Sequence, residues 1–176
     1  MRNATRAVFI LFALALAYQP LRAQAVDLTD DRTAEEKWTR SVYLIDFAYV
    51  GFIAYAKSVG QTAEQLGEWM VGFGAPSWGA PGSRTMASFV RGMFRNYNLY
   101  GNLEFEILSE SESEVRGRMN SPYTASFGET GEVEGVTLRE FQQVMSIFYE
   151  GVADYLGFDM AHEVDGEWTT FTVKTR

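Results

Sequence analysis

The chain has 176 residues, a net charge of −8 and 47% hydrophobic residues, 15% of all residues being aromatic. That length and apolar content fit one globular domain, while the acidic balance disfavours nucleic acid and anionic membrane surfaces as partners. The absence of cysteine excludes disulfides, thiol nucleophiles, Cys-ligated zinc and a lipid anchor on Cys, and the single histidine, His162, excludes a multi-His metal site within one chain.

Residues 1–25 carry the pattern of a secretory signal peptide. Arg2 and Arg6 give the positive start. Residues 7–18 form an apolar run too short to span a bilayer, and Ala23-Gln24-Ala25 fits a small-x-small cleavage site. The expected mature chain starts at Val26; the alternative is an uncleaved N-terminal anchor. Residues 26–32 then read as a polar, acidic tail.

Thr33-Ala34-Glu35-Glu36 is a capping box. Trp38, Val42, Ile45, Tyr49, Phe52 and Ala56 follow at helical spacing and predict a helix to about Ser58. Its other side is also apolar (Tyr43, Leu44, Phe47, Ile53), so cover on more than one side is expected. Asp46 within it reads as a solvated edge, with a paired or pocket-facing carboxylate as the alternative.

Gly60 ends that helix, and a second capping box, Thr62 to Gln65, opens a short one carrying Leu66, Trp69, Met70 and Phe73. Gly67, Gly72 and Gly74 weaken it and point to close packing against a neighbour. Residues 75–82 form a turn-rich linker whose Trp78 plugs the core edge or a pocket mouth. Ser83 is the expected cap of a third helix, with an apolar stripe of Met86, Phe89, Val90, Met93, Phe94 and Tyr97. Arg84, Arg91 and Arg95 give its basic face, and Asn96, Asn98 and Gly101 close it.

Residues 103–107 alternate as a strand, and Val115, Gly117 and Met119 alternate with Arg116 and Arg118 as its partner, leaving residues 109–114 (SESESE) as the hairpin loop. Glu104 and Glu106 opposite Arg116 and Arg118 read as a solvated charge match rather than a catalytic carboxylate pair. Residues 120–135 form the longest irregular stretch, either a functional loop or a mobile acidic one. Thr137-Leu138-Arg139-Glu140 opens the last helix, striped by Leu138, Phe141, Val144, Met145, Phe148, Val152, Tyr155 and Leu156 and ended by Gly157. Residues 158–164 and 167–173 then pair around Asp165-Gly166, a hairpin signal.

Two sets of residues are candidates for function. His162 stands among Asp159, Glu163 and Asp165, which would favour its charged form and make it a general acid or base. Polar residues beside a turn explain the same pattern without catalysis. The second set is Trp69, Phe73, Trp78, Met86, Phe89, Met93, Phe94, Met145 and Phe148. Methionine adapts its shape and aromatic rings supply broad apolar walls, so this set fits the lining of a cavity for an apolar ligand; helical spacing alone fits an ordinary core. No Gly-x-Ser-x-Gly elbow, phosphate loop or metal-ligand spacing occurs.

The helical N-terminal half ends in Ala75-Pro76-Ser77-Trp78, and the last helix leads into Glu163-Val164-Asp165-Gly166-Glu167-Trp168-Thr169-Thr170-Phe171-Thr172-Val173. In these features residues 43–173 resemble the small α+β domains of the 4-vinyl-reductase and 2-amino-thiazoline-carboxylate hydrolase type. The resemblance implies a helix followed by a closing hairpin, and binding of a small, often hydrophobic molecule, in some cases as a sensor. That group often carries cysteines near the last helix, and this chain has none, so no Cys-dependent role is implied.

The sequence therefore predicts residues 26–176 as a single α+β domain, four helices packed on one side of an antiparallel sheet of two hairpins. It predicts an exported protein, in the periplasm or outside the cell, with no membrane span in its mature part and no identified cofactor. The favoured role is a non-enzymatic binding module for a small apolar or aromatic ligand. The alternatives are a hydrolase or isomerase using His162 with Asp159 or Glu163, and an interaction subunit of a cell-envelope assembly.

Overall fold

A computed structural model describes residues 32–100, 103–121, 123–165 and 168–176, and residues 34–176 form one compact unit. The expected leader, tail and cleavage site lie outside the described residues. Helix α1 runs Ala34–Ser58, α2 Ala63–Gly74, a 3-10 turn Ala75–Trp78, and α3 Met86–Tyr97. Strands β1 (Phe105–Glu110) and β2 (Glu114–Asn120) follow, then a one-turn α4 (Thr124–Phe127) and a small hairpin of β3 (Glu132–Val133) and β4 (Val136–Thr137). Helix α5 (Leu138–Leu156) and strands β5 (Phe158–Asp165) and β6 (Trp168–Thr175) complete the fold.

The fold is α+β, as the periodicities predict. The two hairpins join through β2 and β6 into one antiparallel sheet of order β1-β2-β6-β5. Pairing of Gly117 with Phe171 and of Val115 with Val173 sets the inward face. The ring of Phe171 lies where a Cβ on Gly117 would sit, so only glycine lets β2 and β6 pair there. Helices α3 and α5 cover this face, with Phe89, Met93, Val152, Leu156, Phe171 and Val173 wholly enclosed. The outward face is charged: Glu106 meets Arg118 at 2.7 Å and Glu114 meets Lys174 at 3.1 Å. Of the expected cross-strand charge match, Glu106 with Arg118 is present and solvated, while Arg116 stands opposite Ser109 and Glu104 precedes β1.

Local signals were accurate where side chain and backbone bond within one turn. Thr62 with Gln65 and Thr137 with Glu140 both form reciprocal capping boxes, and Gly157 ends α5 at φ 97°. Three expectations need correction. The cap of α3 is Thr85, whose hydroxyl accepts from the Ser88 N–H, and not Ser83. Strand β1 continues past a bulge between Ile107 and Ser109 to Glu110, so the loop shrinks to residues 111–113, where Ser111 Oγ accepts from the Glu114 N–H at 3.0 Å. Residues 120–135 are not irregular: they contain α4 and β3, and Tyr123 and Phe127 are buried in the core.

Helix α1 departs most from expectation. Only Asp46, Val50, Ile53 and Ala56 are buried; Val42, Tyr49 and Ala54 are half-buried, and the rest of its apolar circumference is open. It is held at three levels. Trp38 Nε1 donates to the Leu99 carbonyl at 2.9 Å. Tyr49 packs edge-on against Phe141, centroids 6.0 Å apart. Lys57 Nζ meets Glu140 at 2.7 Å and donates to the Gly135 carbonyl at 2.6 Å.

Candidate functional site

Glycine sets the position of α2. A Cβ on Gly67 would lie 2.9 Å from Ile147 Cγ2, one on Gly74 would lie 2.7 Å from Phe148, and one on Gly151 would overlap the Val71 side chain. Helix α2 therefore lies flush on α5, as the glycine content of α2 predicts, although Gly72 faces open space and takes no part. With that side of α2 spent on α5, Trp69 and Phe73 are turned outward, 66% and 81% exposed. Residues four apart share a helix face, and the two rings stack on each other, centroids 5.9 Å apart and planes 1° from parallel.

The chain turns by 120° between α1 and the segment Ala63–Trp78, and an open apolar cleft of about 740 Å³ lies in that angle. Helix α1 supplies Tyr49, Phe52, Tyr55 and Ala56, with Val59 just past its end; α2 supplies Leu66, Trp69, Met70 and Phe73; α5 supplies Phe148. Its polar side chains are Gln61 and Gln65, at the turn between the helices. Gln65 Oε1 is already engaged, accepting the Thr62 N–H at 2.9 Å. The volume falls within the range of small-molecule sites, roughly 300–1,000 Å³.

The cavity-lining candidates from the sequence divide. Trp69, Phe73 and Phe148 meet in this cleft. Met86, Phe89 and Met93 do not; they are buried core between α3 and the sheet, and Phe94 packs on Phe105 at 4.6 Å. Trp78 sits against Phe89, Tyr149 and the bare backbone of Gly92, plugging the core rather than the cleft. Met145 lines a small polar hollow beside Tyr97, Tyr123 and Gln142. Sequence reasoning missed the α1 wall. The signal is the excess apolar circumference of α1, which the expectation of cover on more than one side reflects.

His162 is placed differently from expectation. Strand pleating sends Asp159 and Glu163 to the face opposite His162, because odd-numbered neighbours alternate in direction. The pairing of His162 with Asp159 or Glu163 is thereby overturned, and Asp159 instead accepts from Arg176 Nε at 2.7 Å. The carboxylate that meets His162 is Glu150 on α5. Its Oε1 lies 2.9 Å from His162 Nδ1 and accepts the His162 backbone N–H at 3.1 Å. The side chain is 3% exposed and Nε2 is buried without a hydrogen-bond partner among the described residues. The ring lines neither the apolar cleft nor the polar groove around Arg176. It has a packing position rather than a substrate-facing one. Among the described residues no group of three or more acidic or histidine side chains is placed to hold a metal ion.

Asp46 is the other correction. It is 2% exposed, not a solvated edge. Tyr100 Oη donates to Oδ1 at 2.6 Å, and the Ser126 hydroxyl donates to Oδ2, tying α1 to the end of α3 and to α4. Burial pushes its carboxyl up from the ordinary 3.8, while the hydrogen bonds from Ser126 and Tyr100 pull the other way. Burial likewise raises the phenols of Tyr49 and Tyr100, which the nearby Asp46 carboxyl pushes up further. A carboxyl raised in the folded state binds its proton more tightly there than when unfolded. Its contribution favours the fold below the unfolded pKa and is lost as pH rises through the folded one. Asp46→Asn is therefore expected to be less stable relative to wild type in acid than at neutral pH. Urea midpoints of both proteins across that range check it, and a difference that stays flat would refute the assignment.

Comparison of the chain with protein-family models and with curated proteins finds no match to either, so the geometry of the cleft is the guide to function.

Proposed function

We propose that the protein is an exported, non-enzymatic binding module whose cleft between α1 and α2 takes a small apolar or aromatic molecule. The observation that carries this is the cleft itself, walled on three helices by aromatic and aliphatic side chains and polar only near Gln61 and Gln65. A ligand with a flat apolar body and one polar end fits that distribution, its body against Trp69 and Phe73 and its polar end toward Gln61. The leader-like pattern of residues 1–25 supports export and cleavage near Ala25. The role agrees with what the resemblance to 4-vinyl-reductase-type domains implies.

The neutral fluorescent probe N-phenylnaphthylamine tests the cleft. Binding should brighten the probe and quench Trp69. The double variant Trp69→Ala, Phe73→Ala should weaken binding about tenfold or more, since truncating an aromatic anchor costs over 1 kcal/mol and 1.4 kcal/mol is tenfold. Both rings are exposed, so the circular dichroism spectrum should not change. Equal probe binding by the variant would rule out the cleft as the site. Native mass spectrometry of protein purified from its host should show a bound small molecule.

A further inference from the structure

The cleft accounts for one side of α1 and leaves another unexplained. Taking 3.6 residues per turn, the side of α1 opposite the buried Asp46, Val50 and Ile53 is centred on Leu44, Ala48, Gly51 and Tyr55. All four are exposed. Residues 41–56 carry one charged side chain, Asp46, and it points inward, so this face is uncharged over four turns. At ~200 Å² for an aromatic side chain, the half-exposed Phe47, Phe52 and Tyr55 with Leu44 leave roughly 400 Å² of apolar surface here. Val59, next along that side, brings it to about 500 Å², so two copies would bury about 1,000 Å² between them, the least a specific interface needs.

We infer that α1 pairs with α1 of a second copy of this chain, antiparallel across a two-fold axis near residues 49–50. A two-fold contact must be self-complementary, and this face is. With the axis there, Ala48 meets Gly51 of the second copy and Leu44 meets its Tyr55. Small residues at the centre let the helices approach closely, and a large residue lies on each side. No like charges are brought together, because the face holds none. Leu44, Phe47, Ala48 and Gly51 lie outside the cleft, whereas Phe52, Tyr55 and Val59 belong to both, so a second copy would cover the α1 edge of the cleft.

The test is sedimentation of the chain as its host produces it, over a concentration series. A Cβ on Gly51 would meet nothing within 4 Å, and Ala48 is exposed, so substitutions at both leave the single-copy fold intact. The wild type is expected to sediment as a dimer at micromolar concentration. Ala48→Arg should sediment as a monomer, with an unchanged circular dichroism spectrum and N-phenylnaphthylamine binding no weaker than that of the wild type. Leu44→Ala should raise the dimer dissociation constant about tenfold. A wild type that stays monomeric overturns the inference, as does an Ala48→Arg variant that stays dimeric. So does a wild type that partitions onto neutral phosphatidylcholine vesicles instead of pairing. Failure of probe binding bears on the cleft alone and leaves this measurement intact.

Discussion

Phe141→Ala is expected to lower stability by about 3–5 kcal/mol, the cost of removing a phenyl ring from an enclosed site. Phe141 is 1% exposed, and its ring is the meeting point of three helices. It lies 4.6 Å from the ring of Tyr123, 5.4 Å from that of Phe127 and 6.0 Å from that of Tyr49. The cavity would form where α5, α4 and α1 converge. The short α4 cannot follow it inward, because Ser126 is bonded to Asp46. Urea unfolding should show the lower midpoint. Probe binding should also weaken, because Tyr49 belongs to the wall of the cleft and loses its support. A stability loss under ~1 kcal/mol, small for an aromatic truncation in a core, would mean that Phe141 is not the hub its contacts make it.

Gly151→Leu should act from the opposite side. The Val71 side chain already occupies the place of any Cβ at Gly151, so the leucine must push α2 off α5. Overpacking of this kind costs about 1–3 kcal/mol. The displaced helix carries Trp69 and Phe73, so the cleft should lose N-phenylnaphthylamine binding along with stability. Gly72→Ala is the matched control. That position faces open space in the same helical layer, and alanine there should gain up to about 1 kcal/mol from helix propensity. If Gly151→Leu binds the probe as wild type does, the flush packing of α2 on α5 is not what shapes the cleft.

The two predictions separate what holds the cleft from what lines it. Phe141 is buried and Gly151 faces α2 outside the cleft, so neither offers surface to a ligand there, yet changing them should disturb binding as much as stability. Trp69 and Phe73 should do the reverse. That contrast follows from exposure alone: a ring already 81% in solvent, as Phe73 is, contributes little to folding.

The sequence by itself determined the elements and their ends. The Thr62 and Thr137 capping boxes and the C-terminal glycine at Gly157 are signals in which neighbours along the chain satisfy each other's backbone groups. The caps need no distant partner, the strands β2 and β6 show in their period of two although their backbone bonds are made across to one another, and the α+β class follows from the order of these elements. The tertiary structure alone decided the rest. Asp46 finds Tyr100 and Ser126, 54 and 80 residues away. His162 finds Glu150 across the helix–sheet interface rather than the acids beside it in the chain. Apolar spacing cannot say which apolar residues are left outside, because core and cleft are built from the same side chains at the same period. Met86, Phe89 and Met93 went to the core, and Trp69, Phe73 and Phe148 to the cleft. What separated them was the contact of three glycines, Gly67, Gly74 and Gly151, with the side chains of the facing helix. That contact fixes how α2 is rolled on α5, and so which of its faces is left open to solvent.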